Sequence, residues 1–144
     1  MKKILLFVFF FLLIPILVKA EDTEDLAPNA SSAIMIEAST GEILFQKNID
    51  EKLAPASMTK MMSLLLIFEE IDKGNIKWDE MITTSEHASS MGGSQIFLKV
   101  GEQMSVEDLI KGICIASGND ATVAMAERVA GTEESFVKRM NEKA

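Results

Sequence analysis

The sequence predicts an α+β chain, and three observations carry that expectation. Two short alternating apolar segments flank a glycine-containing turn in residues 31–47. A long, almost wholly apolar run follows Lys60. Residues 105–144 then hold three stretches with helix-start and helix-stop residues at their ends. Strands first and helices afterwards is the order of an α+β chain, not of an alternating one.

Taken in order, residues 1–20 read as an export signal. Lys2 and Lys3 form a basic start, residues 4–18 are apolar, and Val18-Lys19-Ala20 is a loose small-residue cleavage site. The apolar stretch contains Pro15 and is short of the roughly 20 residues a membrane span needs. Residues 21–30, "EDTEDLAPNA", are acidic and read as a flexible lead-in. In "SSAIMIEA", Ala33, Met35 and Glu37 fall on one side and Ile34, Ile36 and Ala38 on the other. "STG" and "EILFQ" complete a hairpin. "KNIDEKLAP" is a polar connection, and residues 56–73 form a helix stopped by Gly74. A short strand is expected over residues 81–84, then a loop in "HASSMGGSQ" and a mixed stretch, "IFLKVGEQM". Ser105, with Asp108 three residues on, starts a helix in a variant of the capping box. "SGND" is a turn, "ATVAMAERVAG" an alanine-rich helix ended by Gly131, and Thr132 caps a last helix.

Composition narrows the function. The net charge is −8, and cleavage after Ala20 would remove Lys2, Lys3 and Lys19, leaving a still more acidic chain. Phosphate backbones repel such a chain, so no nucleic-acid partner is expected. Cys114 is the only cysteine, so no internal disulfide can form. Set between Ile113 and Ile115, it reads as a small core hydrophobe. His87 is the only histidine, which excludes a multi-histidine metal site. No metal or other cofactor is expected. The remaining acidic residues read as solvated surface and the ten methionines as core filler.

The chemistry concentrates at "PASMTKMMSLLLIFEE". Ser57 and Lys60 are three apart and share a helix face. A second such pair, Ser135 and Lys138, lies in a charged helix where both should face water. Context separates the two. Pro55 marks a helix start, which puts Ser57 in the first turn, where backbone N–H groups lack intrahelical acceptors and can face developing negative charge. The run after Lys60 is apolar on every side, so the helix is expected to be buried all round. Lys60 stands at the positive end of the helix dipole. Both effects favour the uncharged amine, which can take a proton from a serine hydroxyl. The residues alone leave open the plainer alternative of a lysine reaching the surface beside a capping serine.

With Ser57-Met58-Thr59-Lys60 and Ser117-Gly118-Asn119 in hand, the chain resembles the serine-type D-alanyl-D-alanine carboxypeptidases, the low-molecular-mass penicillin-binding proteins. The flanks "SSAIMIEASTGEILFQKN" and "MGGSQIFLKVGEQMSVEDLIKGICIASGNDATVAMAE" resemble that family too. The resemblance implies part of a β-lactamase/transpeptidase-like fold, with residues 31–144 as the N-terminal part of the catalytic domain. It implies Ser57 as nucleophile, Lys60 as its base, Ser117 as a proton relay, and Asn119 as the residue that holds Lys60 and a substrate amide. The implied partners are peptidoglycan stem peptides ending in D-Ala-D-Ala and β-lactam antibiotics, in an extracytoplasmic space.

The family's third motif, K-T-G, does not occur in the sequence. In the family it lies on a later strand, so the sequence reads as an N-terminal fragment, expected to be inactive alone. Later sheet strands and any C-terminal segment for peripheral membrane association would lie beyond residue 144. A class A-like serine β-lactamase is the nearest rival, although Gly118 stands where those enzymes usually carry Asp. A non-catalytic exported remnant or binding protein is the rival of another class.

Overall fold

The computed structural model describes residues 25–144, so the expected export signal and the start of the lead-in lie outside the described residues. The chain divides into two compact units, one up to Leu53 and one from Ala54 to Ala144.

The first unit is the expected hairpin. Strands β1 (Ala33–Ile36) and β2 (Ile43–Lys47) pair antiparallel, with Met35 opposite Phe45 and a bulge between Met35 and Ile36. Glu37 closes the turn. Its carboxylate accepts from the Ser39 N–H (3.0 Å), the Ser39 hydroxyl (2.7 Å) and the Thr40 N–H (2.7 Å), while Gly41 takes φ +75°. These bonds, the Ser39 hydroxyl's first, hold the Glu37 carboxyl down at about 2. Lys47 donates to Asp25 (2.8 Å) and to the Ala27 carbonyl (3.0 Å), which ties the described end of the lead-in to β2.

The second unit is helical. A 3-10 turn (Ala56–Thr59) leads into α1 (Lys60–Asp72). Strand β3 (Met81–Thr83), one-turn helix α2 (Glu86–Ser89) and strand β4 (Gln103–Ser105) follow, then α3 (Val106–Ala116), α4 (Asn119–Ala130) and α5 (Glu133–Lys143). Strands β3 and β4 pair antiparallel with Ile82 opposite Met104. Two caps work as their positions predict: Ser105 accepts from the Asp108 N–H (3.1 Å) and Thr132 from the Ser135 N–H (3.1 Å), while Ser85, accepting from the Ala88 N–H (2.9 Å), starts a one-turn helix where the sequence predicts a loop from His87.

Helix α4 is the centre of this unit. Ala121, Val123, Ala124, Met125 and Ala126 are all buried, and α1, α2, α3, α5 and β3 pack around them. The small side chains allow neighbours to approach from most directions, which is why an alanine-rich helix sits inside. Ile67, Leu109, Val106, Ile113 and Phe136 supply the bulk of the surrounding core. On α3, Gly112 leaves the space that Ile96 fills: a Cβ there would lie 2.9 Å from the Ile96 Cδ1.

Three expectations need correction. Helix α1 is not buried all round. It buries one stripe, Ser63, Leu66, Ile67 and Glu70, at the i, i+3, i+4, i+7 spacing of a single face, while Met61 is 70% exposed and Leu65 and Phe68 are also exposed. Cys114 is exposed, not a core residue, because α3 turns Val106, Leu109, Ile110 and Ile113 inward and leaves Cys114 on its outer flank. The acidic residues are not all solvated surface: Asp120 is 1% exposed and Glu70 is buried, each with hydrogen-bond donors around its carboxylate.

Candidate active site

Sequence reasoning expects Ser57 in the first turn of an α-helix. The structure tightens that turn to a 3-10 turn entered through Ala56 at φ +48°, a left-handed conformation that L residues rarely adopt. The tightening matters for the pair. In a 3-10 turn, side chains at i and i+3 eclipse each other. Ser57 and Lys60 therefore stack, with the Lys60 Nζ 3.5 Å from the Ser57 Oγ.

The opposite wall is the junction between α3 and α4. Ser117 ends α3 in a left-handed conformation (φ +54°), and Asn119 opens α4. The reversal brings the Ser117 Oγ to 3.1 Å from the Ser57 Oγ. Asn119 accepts from the Lys60 Nζ through its Oδ1 at 2.6 Å. The Asn119 amide has its orientation set by its other end: Nδ2 donates to the Gly92 carbonyl at 2.7 Å, so Oδ1 must face the amine. The backbone N–H of Asn119 donates to the Ser94 carbonyl, also at 2.7 Å. The two motifs, some sixty residues apart in sequence, thus meet in one cluster.

An open cavity of about 260 Å³ lies against this cluster, lined among others by Ser57, Lys60, Ser63, Asn119, Thr122 and Glu133. Ser57 is exposed at its edge, and Lys60, Ser117 and Asn119 are half-buried. The Ser57 hydroxyl is thus accessible while the groups around it are held. Sequence reasoning misses Thr122 and Glu133. Glu133 caps the cavity from the start of α5, and its Oε2 lies 2.7 Å from the His87 Nε2. No local pattern announces either residue, since both reach the cavity only through helix packing. The second serine–lysine pair behaves as expected: Lys138 is 79% exposed and pairs only with Glu142, at 3.9 Å.

A serine hydroxyl between an amine and a second hydroxyl is the equipment of an acyl-serine hydrolase. The D-alanyl-D-alanine carboxypeptidase DacD from Francisella tularensis matches 80% of this chain with 43% identity and a TM-score of 0.76, over 28% of its own length. Penicillin-binding protein 5 from Haemophilus influenzae matches 79% with 37% identity and a TM-score of 0.74, over 34% of its length. The fold is therefore part of the penicillin-binding protein fold, as the motifs imply. The chain belongs to the D-alanyl-D-alanine carboxypeptidase family, peptidase S11, whose family model matches residues 18–144. D-alanyl-D-alanine carboxypeptidase DacF of Bacillus subtilis is 62% identical over 122 residues, covering 85% of this chain and 31% of the relative. The chain thus spans about a third of the length of the curated relatives it matches.

Proposed function

We propose that the chain is the nucleophile-bearing part of an exported serine-type D-alanyl-D-alanine carboxypeptidase that trims peptidoglycan stem peptides. The observation that carries the reading is the cluster itself: the Ser57 Oγ lies 3.5 Å from one candidate proton acceptor and 3.1 Å from one candidate relay, and Asn119 fixes the acceptor. The names of the relatives support the substrate class, and the name of the Haemophilus protein supports β-lactam binding. The basic and apolar start of the sequence supports export.

The geometry supports the following steps. The Lys60 amine is held by the Asn119 Oδ1 and faces the Ser57 Oγ, the position from which a base would take the hydroxyl proton. As the Ser57 Oγ bonds to the carbonyl carbon of the penultimate D-alanine, its proton passes to Lys60. Ser117 then relays that proton to the departing amide nitrogen, the C–N bond breaks and D-alanine leaves. Water hydrolyses the Ser57 ester and restores the hydroxyl. A β-lactam reacts by the same attack, but its departing nitrogen remains tethered to the acyl group.

The test is fluorescent penicillin labelling of the 144-residue chain, and of the same residues grafted in place of the matching segment of the Bacillus relative. The expected result is a stable label on Ser57 in the graft, lost in Ser57→Ala. Rapid release of the label would favour a β-lactamase, and a folded graft that takes no label would refute the reading.

A further inference from the structure

Asp120 is 1% exposed, and the steps above give it no part. Its carboxylate accepts from the backbone N–H groups of Ile96 (3.1 and 3.2 Å to the two oxygens), Leu98 (3.0 Å) and Ala121 (2.9 Å). Between Ile96 and Leu98, Phe97 takes φ +62° and is 77% exposed. A bulky L residue does not adopt that conformation without compensation. The compensation is visible: with Phe97 turned this way, the N–H groups on either side of it converge on one anion, as in backbone anion cradles. Room for the carboxylate depends on Gly118, where a Cβ would lie 3.1 Å from the Asp120 Oδ1.

The segment that Asp120 holds is also the one that orients Asn119. Its Gly92 and Ser94 carbonyls accept from the Asn119 side-chain and backbone N–H groups. Gly93 lets the amide in, since a Cβ there would meet the Asn119 Nδ2 at 3.0 Å. Two adjacent residues at the start of α4 therefore grip one loop, Asp120 from the core and Asn119 from the site. We propose that Asp120 is a positioning residue: it anchors residues 91–98 so that the Gly92 and Ser94 carbonyls hold Asn119, and through Asn119 the Lys60 amine, against Ser57. The link from Lys60 to acyl transfer rests on the function proposed above; the link from Asp120 to Asn119 does not.

The test uses the full 144-residue chain and Asp120→Asn, which keeps the side-chain shape but replaces one acceptor oxygen by a donor. Hydrogen exchange at the Ile96 and Leu98 amides should quicken at least tenfold. The side-chain NH2 signals of Asn119 in nitrogen-15 spectra should move to the position of a free amide. Any Ser57 labelling by fluorescent penicillin should slow, with a changed pH profile. Faster exchange at residues 96 and 98 with unmoved Asn119 signals would overturn the proposal and leave Asp120 a fold residue only. Should the variant not fold, the parent chain decides: the amides of Ile96, Leu98 and Asn119 should exchange at one common rate, and separate rates would overturn the coupling. A folded graft that takes no label would count against the proposed function and leave the exchange result standing.

Discussion

Replacing Lys60 by methionine should slow acylation of Ser57 in the grafted protein by roughly a thousandfold, a loss within the range set by removing a general base. Methionine matches the lysine stem in length and keeps its packing, so the effect on folding should be small. The Asn119 Oδ1 loses its 2.6 Å donor but is only half-buried, and that costs about 1 kcal/mol. A chain that melts within several degrees of the parent yet barely acylates is the expected pair of results. Lys60→Arg separates two explanations of that loss. A guanidinium is always protonated and cannot accept the Ser57 proton, although it keeps the positive charge. If Lys60 acts as a base, the arginine variant should be as slow as the methionine one. If the site needs only a cation, arginine should restore most of the rate, and the proton transfer proposed for Lys60 would then be wrong. Time courses of penicillin labelling, with melting curves for each variant, decide between the two.

How much of this is legible in the sequence depends on the range over which each feature is determined. The hairpin, the stop at Gly74 and the serine and threonine caps are local, and residues 31–47, 74, 105 and 132 behave as their types predict. The two motifs are legible as motifs, but the Lys60–Asn119 bond that joins them spans 59 residues and no periodicity announces it. Strand β4 has three residues and no alternation to display, so only its pairing with β3 reveals it. The 3-10 start of α1 is hidden because Ala56 carries no sign of a positive φ, which glycine would have given. Composition misleads at α1 and Cys114 for one reason: an apolar residue reports only that burial would be favourable, while the direction it faces is set by its neighbours. In the sequence Asp120 is one letter of a turn. Its partners are the amides of residues 96 and 98, and backbone donors leave no signature in a sequence.

Replacing Glu70 by glutamine should remove much of the acid sensitivity of the helical unit. Glu70 lies near the far end of α1 with its side chain 12% exposed. Its carboxylate accepts from the Asn75 amide (2.8 Å), the Arg139 guanidinium (2.7 Å) and Lys73 (3.2 Å), and these bonds, the Asn75 one first, hold its carboxyl down at about 2, against an ordinary 4.5. A folded value below the unfolded one means that the stabilisation is complete above about 4.5 and disappears as pH falls through about 2. The difference corresponds to a contribution on the order of 3 kcal/mol. Urea unfolding between about pH 6 and about pH 2 should show that decline in the parent and a flatter curve in Glu70→Gln; equal slopes would refute the assignment. Arg139→Ala should cost about 2–3 kcal/mol at neutral pH, less than a fully buried pair because the guanidinium is 34% exposed. The same guanidinium donates to the Val129 carbonyl at the end of α4 (2.9 Å). Helices α1 and α4 thus both begin at the candidate site, at Lys60 and Asn119, and are both tied near their other ends by Arg139. Loosening that tie should let the two starts drift apart. Arg139→Ala should therefore also slow Ser57 acylation at temperatures where the chain remains folded, and an unchanged rate there would show that the contact at Asn119 alone keeps the helices aligned.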